Sequence, residues 1–322
     1  MPGPTIDGLP DDIQQSLSRC FEELDKVLRE QSDEQEKKLV VPPMLYHYTD
    51  GAGLFGVIES GTIRLSDIYG MNDPSEVRHG LEIACALLEH HSKRGHPAAG
   101  LFARDFREAV QGHLEQIARF FVACFSRSDD DLGQWRAYAA NGRGYALGFE
   151  GPLLEQAFIS RGDERNTTIH VYYDDAALRQ VMERLVRAVI PILALPAKRD
   201  LGEPLQREFI TTLGTYLGVV VVHAALLYKH EAYKNEQEYR FLHVRGVTDS
   251  IADLKRRARG SRIIHFDEFD WKTRWPQALR EVVIGPAADE AAARSFVSEC
   301  LLAGGLKPDI VKITRSAIPY RG

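Results

Sequence analysis

Apolar residues take up helical spacing almost from the start of the chain. After the acidic pair Asp11-Asp12, Ile13, Leu17, Cys20, Phe21, Leu24, Val27 and Leu28 form one stripe that runs out in the charged stretch 32–38. The pattern predicts an N-terminal helical arm over residues 1–40, set off by Val41-Pro42-Pro43 from a second unit over 44–322. The stripe has to be buried, either on that second unit or on a partner chain, so a homodimer or other partner contact through this helix is an open expectation.

From residue 44 the period changes. Leu45-Tyr46-His47-Tyr48-Thr49 reads as a strand, Asp50 as the cap of a helix over 51–60, and Gly61 as the lead into a strand over 62–65. Asn72-Asp73-Pro74 reads as a turn that starts a helix to about residue 91, followed by a helix over 101–117 and a buried strand over 120–125. Residues 126–131 would turn and cap the helix carrying Trp135 and Tyr138. Strands over 143–149 and 168–173 precede two long helices, 176–193 and 205–230, and a strong strand over 238–244. Weaker strands at 262–266, 282–284 and 310–313 flank a helix over 289–302. Helices and strands do not alternate strictly, which favours an α+β fold with a mixed sheet over a doubly wound one.

Composition narrows the class. The 322 residues are 44% hydrophobic and 27% charged with a net charge of −6, so the chain is long enough for a large core and is not a bulk polyanion binder. Cys20, Cys85, Cys124 and Cys300 are scattered among apolar neighbours with no metal or redox spacing, and His90 and His91 point apart on a helix. No metal is expected. The start of the chain lacks a basic, apolar leader, and the apolar stretch 217–228 is too short to cross a bilayer, so a cytoplasmic protein with no membrane partner is expected.

Three segments carry candidate chemistry. On a strand, Glu236, Glu238 and Arg240 share one face and Gln237, Tyr239 and Phe241 the other; such a row commonly lies along a solvated edge, but paired carboxylates in a cleft can also take different proton affinities. His47 sits among Tyr46, Tyr48 and Thr49, upstream of Arg64, Ser66 and Asn72; a core histidine and helix capping are the plain readings of His47 and Asn72. Cys124-Phe125-Ser126 precedes Trp135, Tyr138 and Arg143. Trp135 and Tyr138, three apart, read as core packing or as a platform for a planar ring. Phosphate-loop, nucleophile-elbow and dinucleotide-glycine motifs are missing.

Taken in order, His47-Tyr48-Thr49, Ser66, Asn72-Asp73-Pro74 with Glu76, Cys124-Phe125-Ser126, Trp135 with Tyr138-Ala139, Gly144 with Gly148-Phe149, Glu236-Gln237-Glu238-Tyr239-Arg240 and Gly285-Pro286 resemble a bacterial family defined only as a domain of unknown function. The stretch from Tyr46-His47-Tyr48-Thr49 through Gly61 to Ser66, with the later Glu236-Gln237-Glu238, also looks like the ADP-ribosyltransferase-like superfamily. That likeness implies an ADP-ribosyltransferase-like mixed sheet and NAD as substrate, its ADP-ribose passing to a macromolecular acceptor, protein or nucleic acid. It implies Glu238, Glu236 and His47 as catalytic residues, with His47, Tyr48, Thr49, Ser66, Asn72, Ser126, Trp135, Tyr138 and Arg143 around the donor. Arg143 or Arg64 would face the pyrophosphate. The chain departs from toxin and polymerase members at Tyr48, where they carry glycine. A toxin or defence effector would suit such a family. The readings that stand beside it are transfer from another nucleotide-bearing donor, a non-catalytic nucleotide-binding or sensor module using the same pocket, and a structural protein whose motifs are caps and edges.

Overall fold

A computed structural model describes residues 4–38, 40–70, 75–162, 165–246, 254–259 and 262–320. In chain order the elements are α1 (Asp11–Lys38), β1 (Met44–Thr49), α2 (Gly51–Ser60), β2 (Thr62–Asp67), α3 (Ser75–Lys93), α4 (Pro97–Ile117), β3 (Ala118–Ser126), α5 (Leu132–Tyr138), β4 (Tyr145–Glu150), α6 (Gly151–Ile159), β5 (Asn166–His170), α7 (Asp175–Val189), α8 (Leu195–Lys198), α9 (Glu203–Ala225), β6 (Glu238–Gly246), β7 (Lys255–Arg259), β8 (Arg262–Asp270), β9 (Leu279–Ile284), α10 (Glu290–Ala303) and β10 (Lys312–Arg315). The class is α+β. Local chemistry sets many boundaries: the side chains of Asp50, Asp131, Asp174 and Asp289 each accept a backbone N–H in the first turn of α2, α5, α7 and α10. Gly61 ends α2 at φ 68°, a left-handed conformation that glycine reaches without strain.

The strands form one sheet with a fork in it. β3 pairs antiparallel with β6 along its whole length, which leaves its other edge to be shared by β1, at Tyr46↔Ser126, and β2, at Ser66↔Val122 and Asp67↔Phe121. One wing continues from β1 through β4 and β9 to β10, the other from β2 through β8 to β7, and β5 lies beyond β6. Among the described strands only β9 and β10 pair parallel.

Period-two alternation divides the core in two. Leu45, Leu65, Phe121, Phe125, Tyr239 and Phe241 point to one face and pack with α2, α6 and α10, while Phe120, Val122 and Leu242 point to the other, beneath α3, α4, α7 and α9. A small third cluster, with Tyr46, Tyr48 and Trp135, packs under α5. The apolar stripe of α1 is buried within the chain against α7 and α9. α9 has the length and hydropathy of a membrane span, yet Phe209, Leu213, Leu217, Val221 and Val222 make it the central helix of this bundle.

Several expected boundaries move, for visible reasons. The helix expected to reach residue 230 ends at Ala225, because the following residues take up strand-like pairing: Leu227 O accepts from Tyr172 N at 2.9 Å and Tyr172 O from Lys229 N at 2.8 Å. α7 gives way to a 3-10 turn at Pro191, which has no N–H to continue the helix. β6 begins at Glu238 as expected, but Glu236 does not lie on it, since Gln237 is left-handed (φ 46°, ψ 48°) and Glu236 closes a 3-10 turn. β7 is a strand the hydrophobic pattern does not predict.

Candidate active-site cleft

Where β1 and β2 part from β3, the sheet opens into a cleft of about 450 Å³, roofed by α5 on one side and by the segment after α9 on the other. Its volume falls in the range of about 300–1,000 Å³ usual for small-molecule sites. Tyr46, His47, Tyr48, Arg64, Ser66, Tyr138, Glu236 and Glu238 all line it. The strand register explains how residues so distant in sequence meet: Tyr46 lies opposite Ser126, and Ser126 opposite Glu238.

Glu238 is nearly sealed, its side chain 7% exposed against 17% for Glu236. Arg240 grips it with two donors, Nε to Oε1 at 2.7 Å and Nη2 to Oε2 at 3.0 Å, and Lys229 Nζ reaches Oε2 at 3.0 Å. The same ammonium donates to Glu236 Oε2 at 2.5 Å, so Lys229 clamps the two carboxylates together. Burial alone would raise the Glu238 carboxyl, but the charges and hydrogen bonds of Arg240 and Lys229, with the Cys124 thiol donating as well, outweigh it and hold the carboxyl down to about 2. Glu238 therefore contributes stability above its unfolded value of about 4.5, and that contribution is lost as the pH falls toward 2. Urea midpoints measured across this window should drop more steeply in the wild type than in Glu238→Gln; equal slopes would remove the carboxylate from the acid response.

His47 sits beside Phe125, its Nδ1 3.4 Å from Cys124 O, and burial pushes its pKa down against the partial support of that carbonyl. The neutral ring uses Nδ1–H toward the carbonyl and presents Nε2 as an acceptor. Backbone bonds pin the carboxylate segment: Ser126 Oγ donates to Glu236 O at 2.8 Å, Arg127 N to Gln237 O at 3.1 Å, and Glu238 N to Tyr173 Oη at 2.8 Å. The pairing of Glu236 with Glu238 thus comes from a kink and a clamp, not from the strand period expected for that stretch.

The remaining site residues separate. Tyr48 turns its hydroxyl to the 128–131 loop, donating to Ser128 O at 3.0 Å and accepting from Asp131 N at 3.1 Å. Trp135 is fully buried, edge-on to Tyr48 with ring centroids 4.8 Å apart, and donates to Asp130 Oδ1 at 2.7 Å; Tyr138, 49% exposed, lines the cleft without it. The two do not make one platform. Thr49 lies over the first turn of α2, so close to Gly53 that a side chain there would collide with its hydroxyl. Arg143 is exposed and does not line the cleft, whereas Arg64 lies on its wall over the Phe266 ring at 5.0 Å. Asn72 lies outside the described residues.

Sequence reasoning passed over Lys229, Tyr233 and Arg257, which line the cleft too. A lysine between Tyr228 and His230 reads as a surface residue; only the early end of α9 turns it inward. Among the described residues no three His, Cys, Asp or Glu side chains gather as a metal set.

Residues 134–241 match the model of a family described as "Protein of unknown function (DUF2971)". The match includes Tyr138, Lys229, Glu236, Glu238 and Arg240 and leaves β1 with His47 outside it. No curated protein matches the chain, and no solved structure does.

Proposed function

We propose that the cleft is the active site of an ADP-ribosyltransferase-like enzyme that takes NAD and passes ADP-ribose to a macromolecule. The observation that carries this reading is the convergence of His47 on β1, Ser66 on β2, and Glu236 and Glu238, just before and at the start of β6, around one cavity. In the reaction the bond between the ribose anomeric carbon and the nicotinamide nitrogen breaks. Its electron pair leaves with nicotinamide and neutralises the pyridinium, while positive charge builds on the ribose. Glu238, ionised at any physiological pH, supplies the fixed negative charge toward that carbon. Glu236, nearer the rim, takes the proton of the acceptor group as its lone pair bonds to the anomeric carbon. His47 accepts a ribose hydroxyl through Nε2, Tyr138 flanks the nicotinamide and Arg64 meets the pyrophosphate.

One observation favours a second reading. Arg240 and Lys229 already neutralise Glu238, as suits a cleft that binds a nucleotide without turning it over. Nicotinamide release from NAD, measured with cell extract present as a source of acceptor, separates the two. The transferase reading expects release by the wild type and a fall of about 100-fold or more in Glu238→Gln, assayed below the variant's own melting temperature so that both proteins are folded. Tight nucleotide binding by calorimetry with no release would leave the binding module instead.

A further inference from the structure

β7 ends one wing of the sheet, and its sequence departs from everything around it. Residues 254–262 carry Lys255, Arg256, Arg257, Arg259 and Arg262 with no acidic residue, in a chain whose net charge is −6. Lys255, Arg256, Arg257 and Ala258 are all exposed, and β7 pairs only with β8 among the described strands. Edge strands often bear a lysine or two that discourage pairing with other chains. Here arginine dominates, and the planar fork of arginine suits phosphate oxygens. The strand also meets the cleft, since Arg257 and Ala258 form part of its lining.

Period-two geometry gives the row direction. Lys255 and Arg257 lie opposite Phe266 and Ile264, and Phe266 lies opposite Ser66 on the cleft wall, so both point to the cleft side of the sheet. Lys255 is spoken for in part by Glu268. Arg256 faces the other way. A line of one-sign charge along an extended backbone suits a polymer whose own charge repeats with every unit. An acidic peptide held at a sheet edge would call for alternating side-chain pockets, and β7 offers exposed cationic side chains in their place.

We infer that β7 is the docking rail for a nucleic-acid acceptor, holding its phosphates while one base or sugar edge enters the neighbouring cleft. This rests on the reading of the cleft as a transferase site, because it names that enzyme's acceptor. Lys255 and Arg257 set the backbone, and the cleft receives an extruded nucleotide, as in enzymes that act on bases out of the stack.

Binding is measured without turnover, so its outcome is separate from that of the nicotinamide assay. A fluorescein-labelled, mixed-sequence single-stranded RNA is titrated with the wild type and with Lys255→Ala/Arg257→Ala, by anisotropy, at rising salt. The wild type is expected to bind with an affinity that falls steeply with salt. The double variant, melting normally, should bind at least about tenfold more weakly, with a log–log salt slope shallower by about 1. RNA binding that the variant leaves unchanged, or no binding at all, overturns the assignment. Oligoglutamate that competes as well as unlabelled RNA also overturns it, in favour of an acidic protein acceptor.

Discussion

Arg240→Leu is expected to destabilise the fold by about 3–5 kcal/mol, the usual cost of stranding one partner of a buried ion pair. Arg240 is 3% exposed and points its donors inward, Nε and Nη2 to Glu238 and Nη1 to Leu226 O at 2.8 Å. Leucine removes these bonds. Glu238 keeps Lys229 and the Cys124 thiol, but Oε1 loses its Arg240 donor, and the carbonyl that ends the α9 segment loses its guanidinium. The check is a shift of the urea midpoint at constant slope; a loss below about 1 kcal/mol would mean that Lys229 alone carries the charge. Glu238→Gln in the same background should recover part of the loss, because it removes the stranded charge while keeping the side chain's volume. The coupling in that double-mutant cycle measures the pair itself.

Trp135→Ala should cost about 3–5 kcal/mol as well, by emptying the small core beneath α5. The indole is fully buried, edge-on to Tyr48, and its N–H shares Asp130 with Ser316 Oγ and Ala317 N. Losing it undoes the joint between α5, the 128–131 loop and the residues after β10. Denaturant unfolding of Trp135→Ala and Trp135→Phe reads this directly, with the phenylalanine variant the milder of the two. Were the indole a ligand platform, Trp135→Phe would weaken nucleotide binding and leave stability nearly untouched. That outcome would return Trp135 to the cleft wall.

What the sequence made legible was whatever depends on local period and local capping. The stripe of α1, the Asp50 cap with Gly61 at the far end of α2, and the strand through Tyr239 and Phe241 all follow from residues a few positions apart. The grouping of His47, Ser66, Tyr138, Glu236 and Glu238 around one space was legible only through the resemblance, since no periodicity relates residues so far apart. The failures have one physical root. Each depends on a tertiary partner: Gln237 takes a left-handed conformation with no glycine or asparagine to announce it, Lys229 turns inward because residues 227–229 pair with Tyr172, and β7 is a strand without an apolar face because both of its sides meet solvent. Trp135 and Tyr138 show the limit of helical spacing, for α5 is only seven residues long and tips one ring into a core and the other into a cleft.

The fork in the sheet has a mechanical side. Two wings, four strands from β1 to β10 and three from β2 to β7, share one spine, β3, and among the described strands every hydrogen-bonded path from one wing to the other crosses it. Removing β10 or β7 would trim an outer edge. Cutting β3 would disconnect the whole ladder, and the carboxylate strand β6 would lose its footing with it. The cleft is therefore the crotch of the fork, walled by both wings and floored by the one strand they have in common.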